Sequence, residues 1–213
     1  MRNKYKLFLP IVILFLGFSA FAECPSMKEP KLDIHFKYGK IHYINNKSSD
    51  EFPATPYSSV MGLTVTSLQN GVNAQSEVKT NPSGGFCVYP RTLKVVIGYP
   101  RVDVYIDKKY RPGTCNYKVV KEHENYHARV QLEGLKFFSG KIKSAYKVAL
   151  LKVKPVEISD PSEAMQANSQ IVEQIKADVQ PLLEYVNKRL TEENMVIDTE
   201  TSYEEESRKC PKW

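Results

Sequence analysis

The sequence predicts an α+β fold, an N-terminal antiparallel or mixed β-sheet packed against two long C-terminal helices. Three observations predict it. Apolar and polar residues alternate through residues 31–110, the period of strands buried on one face. From 116 to 195 apolar residues recur every three or four positions, the period of amphipathic helices. The turn-forming stretch "RPGTC", residues 111–115, divides the two halves.

The first segment stands outside that domain. Arg2, Lys4 and Lys6 precede the apolar run "LFLPIVILFLGFSA", and Ala20-Phe21-Ala22 forms an A-x-A pattern before Glu23. This order describes a secretory signal peptide, residues 1–22, cleaved after Ala22. The run is short for a membrane span and Pro10 interrupts it. Residues 23–213 then form one domain: β-rich over 31–110, helical over 116–195, with an acidic tail over 196–213.

In the β-rich half, "KLDIHFKYGKIHYI" reads as a hairpin turning at Tyr38-Gly39. "MGLTVTSLQ" is a strand ended by Asn70-Gly71, and "SEVKT" is another. "GFCVYPRTLKVVIGYP" follows the loop "NPSGG". "RVDVYIDKKY" alternates cleanly, with Val102, Val104 and Ile106 on one face and Asp103, Tyr105 and Asp107 on the other. In the helical half, Thr114 or Asn116 caps a helix from about Tyr117 to Phe138 that resumes past Gly140 toward Lys152. Ser159 or Asp160 caps a second helix with Pro161 in its first turn. Its apolar stripe is Val172, Ile175, Val179, Leu182, Val186 and Leu190, and Pro181 is expected to kink it. The tail from Asp198 to Trp213 shows no period.

Charge and cysteine content narrow the setting. The net charge is +6, but three of those charges are Arg2, Lys4 and Lys6, leaving +3 after cleavage. That is too mild a balance for a nucleic-acid partner. No later stretch approaches a membrane span, so no membrane partner is expected after cleavage. The even set Cys24, Cys87, Cys115 and Cys210 lies behind the export segment and reads as two disulfides. Of three possible pairings, Cys87–Cys115 with Cys24–Cys210 is favoured because it ties both termini to the body. No close C-x-x-C spacing suggests a cysteine-zinc site.

The chemistry concentrates in His123-Glu124-Asn125-Tyr126-His127. On a helix, His123 and His127 project from one face a turn apart, so both imidazoles can reach one metal ion. Glu124, beside them, is placed as the general base for a water activated by zinc. Gly134 lies two turns beyond His127 on the same face, where a neighbouring element can approach. The third ligand is open. The extended motif H-E-x-x-H-x-x-G-x-x-H is absent, since Val130 stands in its glycine position. Glu133 falls nearly on the opposite side of the helix. Glu163, Glu173 and Glu184 point away from the apolar stripe of the second helix, while Asp178 flanks it. Asp178, Asp198, Tyr203, Glu204, His35 and His42 all remain candidates.

The block "VDVYIDKKYRPGTCNYKVVKEHENYHARV" resembles a family of secreted zinc-dependent proteases of Gram-negative bacteria, long filed as a domain of unknown function. Weaker similarity runs through "GLTVTS", "GFCVYPRTLKVVIGYP" and "VIDTETSYEEES". The resemblance implies a zincin-like domain, zinc ligands at His123 and His127, and Glu124 as the catalytic acid-base residue. The family's tail carries a His-Gly pair near Tyr203-Glu204, and this sequence departs from it there. The expected function is a periplasmic or secreted zinc metallopeptidase, with "RVDVYIDKKY" as an edge strand holding a peptide or protein substrate. The alternatives are a non-catalytic metal-binding or partner-binding envelope protein, and a zinc amidase acting on peptidoglycan.

Overall fold

The computed structural model describes residues 23–53 and 60–213. The expected signal peptide, 1–22, lies outside the described residues. The fold is α+β, with the strands in the first half and the helices in the second. Five strands form one mixed sheet: β1 (Lys31–Ile44), β2 (Gly62–Thr66), β3 (Gln69–Thr80), β4 (Phe86–Ile106) and β5 (Val156–Ile158). Among the described residues three α-helices follow or interleave: α1 (Cys115–Lys152), α2 (Ala164–Asn194) and α3 (Glu200–Arg208).

The sheet is organised around β4, whose 21 residues reach every other strand. Along one edge β4 pairs with β1 in parallel and, at its start, with β5. Along the other it pairs antiparallel with β3 and then β2. The expected hairpin at Tyr38-Gly39 does not form. Both residues lie inside one continuous strand, and Gly39 is needed for closeness: a Cβ there would sit 2.5 Å from the Pro100 carbonyl carbon. The expected break at Asn70-Gly71 also moves. Thr66 pairs with Val102 and Gln69 with Gly98, so Ser67-Leu68 face three β4 residues, Tyr99 to Arg101. That bulge accommodates Pro100, which has no N–H to give to a ladder. It also shifts the buried face of β4 from Leu93, Val95, Ile97 and Tyr99 to Val102, Val104 and Ile106. The phase change is why one strand reads in the sequence as two. It also places residues 101–106 at the centre of the sheet. The open edge beside the helices belongs instead to β2, which pairs only with β4 among the described residues.

Thr114 caps α1, its hydroxyl accepting from the Tyr117 N–H. The helix is continuous through Gly140 to Lys152, about 57 Å at 1.5 Å per residue. Its first half lies against β2 and β4, and its second half against α2 and the sheet, where Tyr146 reaches β3. Asp160 caps the turn entering α2, as expected, and α2 runs on through Pro181. Its buried stripe is the predicted one, except that Leu183 rather than Leu182 is the more deeply buried. Gly134 admits α2: a Cβ there would collide with Leu190. Between sheet and helices sit Val95, Ile97, Val104, Ile142, Tyr146, Ile171 and Ile175, all fully buried. Tyr146 donates its hydroxyl to Asn70, so the buried phenol is satisfied.

Two disulfides form, but with a different pairing from the one expected: Cys24–Cys87 and Cys115–Cys210. Each terminus is tied separately to its own half of the domain. The tail, aperiodic in sequence, contains α3, capped by Thr199 through the Ser202 N–H. Among the described residues no helix is long and apolar enough to cross a membrane.

Candidate metal centre

His123 and His127 lie on the buried side of the first half of α1, and Asp198 lies just before α3. Asp198 is therefore the tail candidate that reaches the histidine pair. Its Oδ1 is 3.1 Å from His123 Nε2 and 3.2 Å from His127 Nε2. The two Nε2 atoms are 3.1 Å apart. These three atoms form a nearly equilateral triangle, consistent with a group able to hold a metal ion. A tetrahedral zinc with bonds of about 2.0–2.1 Å keeps its ligand atoms about 3.3 Å apart, so the donor set fits such an ion in both size and chemistry.

The remaining imidazole nitrogens are fixed from behind. His123 Nδ1 is 3.0 Å from Glu206 Oε1, and His127 Nδ1 is 3.1 Å from Asn194 Oδ1. An acceptor on Nδ1 holds the proton there and leaves Nε2 as the electron-pair donor, the arrangement of metal-binding histidines. Tyr203 stacks on His123 with ring centroids 5.4 Å apart and donates its hydroxyl to Asp198 Oδ1 at 2.9 Å.

Glu124 is buried beside the triangle. The Thr64 hydroxyl lies 2.8 Å from its Oε2 and 2.9 Å from its backbone carbonyl, and its one proton serves either. Gly62, two residues earlier on the same face of β2, makes room: a Cβ there would lie 2.7 Å from Glu124 Cγ and Oε1. A cleft of about 310 Å³ opens here, lined by Val60, Met61, Gly62, Val120, His123, Glu124, Tyr203 and Glu206. An adjoining cleft reaches His127, Asn194 and Asp198.

The electrostatics follow from burial and crowding. Burial opposes a charge on His123, but Asp198, Glu124 and Glu206 outweigh it and push its pKa up to about 9. His127 moves the same way, with burial opposed by Asp198, Glu124 and Asn194. Burial would raise Asp198, yet hydrogen bonds from His123, His127 and Tyr203 hold it well below the carboxylate range. Burial raises Glu124, against the Thr64 hydrogen bond and the neighbouring imidazoles. Without a cation the triangle is thus an ion cluster that retains protons, and a metal ion must displace them.

Of the other candidates, Tyr203 lies at the site but bonds to Asp198, and the rest lie elsewhere. His35 pairs with Asp33 on exposed β1, and His42 is exposed on the same strand. Asp178 sits 3.6 Å from Lys152 on α2, and Glu204 pairs with Arg208. Thr64, Asn194 and Glu206 were not among the sequence candidates. Only Glu206 carries a sequence signal, lying three residues after Tyr203 and so on its face of a helix. Comparison of the chain with protein-family models, curated proteins and solved structures finds no match.

Proposed function

We propose that this chain is an exported zinc-dependent metallopeptidase, in which His123, His127 and Asp198 hold the ion and Glu124 is the general base. The observation that carries the reading is the convergence of two imidazole nitrogens and one carboxylate oxygen within 3.2 Å of one another, beside a buried glutamate. When bound, zinc would supply Lewis-acid chemistry, polarising a carbonyl and acidifying water. The chain's own residues supply the rest. Thr64 holds Glu124 Oε2, leaving Oε1 to take a proton. Burial raises the basicity of Glu124 toward the working pH, as general-base catalysis requires. Glu206 and Asn194 orient the imidazoles. The open edge of β2 offers backbone N–H and C=O groups to an extended peptide next to Glu124. The two disulfides suit an oxidising compartment, hence a periplasmic or secreted protein, and the family its central block resembles is of that kind.

The test is zinc content by elemental analysis together with cleavage of denatured protein and of peptidoglycan fragments. Wild type should bind one zinc. His123→Ala and Asp198→Asn should each lose it, while Glu124→Gln should keep zinc and lose roughly 10²–10⁴-fold in rate. Cleavage of peptidoglycan alone assigns the amidase alternative. Zinc bound with no hydrolysis of either substrate assigns a non-catalytic metal-binding envelope protein. Wild type without stoichiometric zinc after loading ends the hydrolase reading.

A further inference from the structure

The second half of α1 has two apolar faces, and among the described residues only one is packed against the rest of the domain. Leu135, Phe138, Ile142, Tyr146, Ala149 and Leu150 are buried against the rest of the domain. On the opposite side, Phe137, Val148 and Leu151 are 77%, 53% and 53% exposed. These three, with Gly140 and Ser144, fall in one stripe at helical spacing, about 21 Å long from Phe137 to Leu151. Lysines border it on both sides: Lys141 and Lys152 on one, Lys136, Lys143 and Lys147 on the other. No acidic residue occurs from Gly134 to Val156, where Lys154 adds a sixth positive charge. Glu133 stands one turn before Phe137 at the head of the stripe; beyond it Asp178 takes Lys152, Glu23 lies 4.0 Å from Lys154, and Glu29 lines a cleft with Lys31, Lys143 and Lys147. Among the described residues Lys136, Lys141, Lys143 and Lys147 pair with no carboxylate. The chain is elsewhere close to charge balance, and its tail is acidic, so this concentration is local.

We propose that the outward face of the second half of α1 docks on an anionic lipid bilayer, lying in its surface plane. Shape and charge choose this occupant. Phe137 and Val148 stand out on a convex helix, which suits a flat yielding surface better than a groove, while Ser144 and Leu151 also line a shallow cleft with Pro30 and Leu32. Lysine stems can lie along the acyl–headgroup boundary while their ammonium groups reach lipid phosphates. The helix is already folded and held by α2 and the sheet, so docking costs little ordering entropy. The site uses none of the metal-binding residues and should work without metal.

The test is co-sedimentation of the disulfide-intact chain, residues 23–213, in EDTA with vesicles of phosphatidylethanolamine and phosphatidylglycerol, and with phosphatidylcholine vesicles as the neutral control. Binding to the anionic vesicles, weakened by salt, is expected, with little to phosphatidylcholine. Lys141→Glu/Lys147→Glu should weaken it by at least about tenfold, since each surface lysine contributes about fivefold. Phe137→Ser/Leu151→Ser should weaken it comparably. Lys109→Glu/Lys188→Glu, away from this face, should leave it intact. All these positions are exposed, and unchanged circular dichroism will show that the variants fold. No binding to anionic vesicles overturns the proposal. So does binding insensitive to the face variants, or binding lost with the lysines but unmoved by Phe137→Ser/Leu151→Ser, which marks charge adhesion without insertion. Capture of an acidic protein by this face without vesicle binding also overturns it.

Discussion

Gly62 shows how tightly one residue can define this site. Glu124 reaches its position only because β2 passes with no side chain at that point. A Cβ at Gly62 would lie 2.7 Å from Glu124 Cγ and from Val120 Cγ1, both on α1. Neither can retreat freely, since Val120 and Glu124 are buried. Gly62→Ala should therefore cost about 1–3 kcal/mol, the usual range for overpacking. Because the three atoms nearest that Cβ belong to Glu124 and Val120, and none of them to His123, His127 or Asp198, zinc affinity should survive while Glu124 is displaced. Gly71→Ala is the control: its nearest neighbour is the Val96 carbonyl oxygen at 3.8 Å, so its stability should stay near wild type. Urea unfolding of both variants, with a zinc titration, checks the pair. Equal stability of the two would mean that Glu124 is not wedged against β2. Sequence alone showed Gly62 as a glycine near the start of a strand; its role needs the helix beside it.

At the level of elements, α3 is the least self-sufficient part of the fold. Nine residues are short for an isolated helix, and none of its residues is buried. It is held by what surrounds it: the Cys115–Cys210 bridge, Glu206 on His123, and Trp213 edge-on to Tyr110. The bridge ties the first residue of α1 to the residue two past α3, and Asp198 lies on the span it anchors. Replacing both cysteines by Ser should free the tail and remove Asp198 from the triangle. Zinc should then bind at least about tenfold more weakly, while circular dichroism of the body remains. Unchanged zinc affinity would show that α3 docks without its bridge. This dependence explains what was legible beforehand. The histidine pair, the caps at Thr114 and Asp160 and the stripe of α2 are written in local spacing, and the structure has them. A helix polar on all sides has no period to read. The hairpin expected at Tyr38-Gly39 failed for a related reason: a glycine signals permission to approach or to turn, and only the neighbouring strand decides which. The disulfide pairing could not be read either, because it depends on where β4 begins and α3 ends in space.

Across the whole molecule, the metal-free site should make stability fall with pH in a defined window. In the fold, Asp198, Glu124 and Glu206 overcome burial and raise His123 to about 9, against an ordinary 6.5. Below pH 6.5 the residue is protonated in both folded and unfolded chains, and its stabilising contribution is complete. Between 6.5 and about 9 the unfolded chain gives up this proton while the folded chain keeps it, so stability declines; above about 9 the contribution is gone. His127 is raised in the same direction and adds to the fall. Asp198 behaves oppositely: its depressed pKa gives stability above the ordinary carboxylate range that is lost only in acid, so it does not cancel the decline. The loss should be on the order of 1–3 kcal/mol, allowing for the sharing of protons between coupled groups. Under the proposed function zinc should reverse the trend, because it would bind neutral imidazoles and meet less proton competition as pH rises. Thermal unfolding at pH 6, 7.5 and 9, in EDTA and with zinc, should show a falling metal-free Tm and a zinc-induced increment that grows over the same range. His123→Ala should flatten both dependences. A metal-free Tm that holds steady from pH 6 to 9 would mean that the cluster does not retain its protons, and the charge pattern drawn around Asp198 would have to be abandoned.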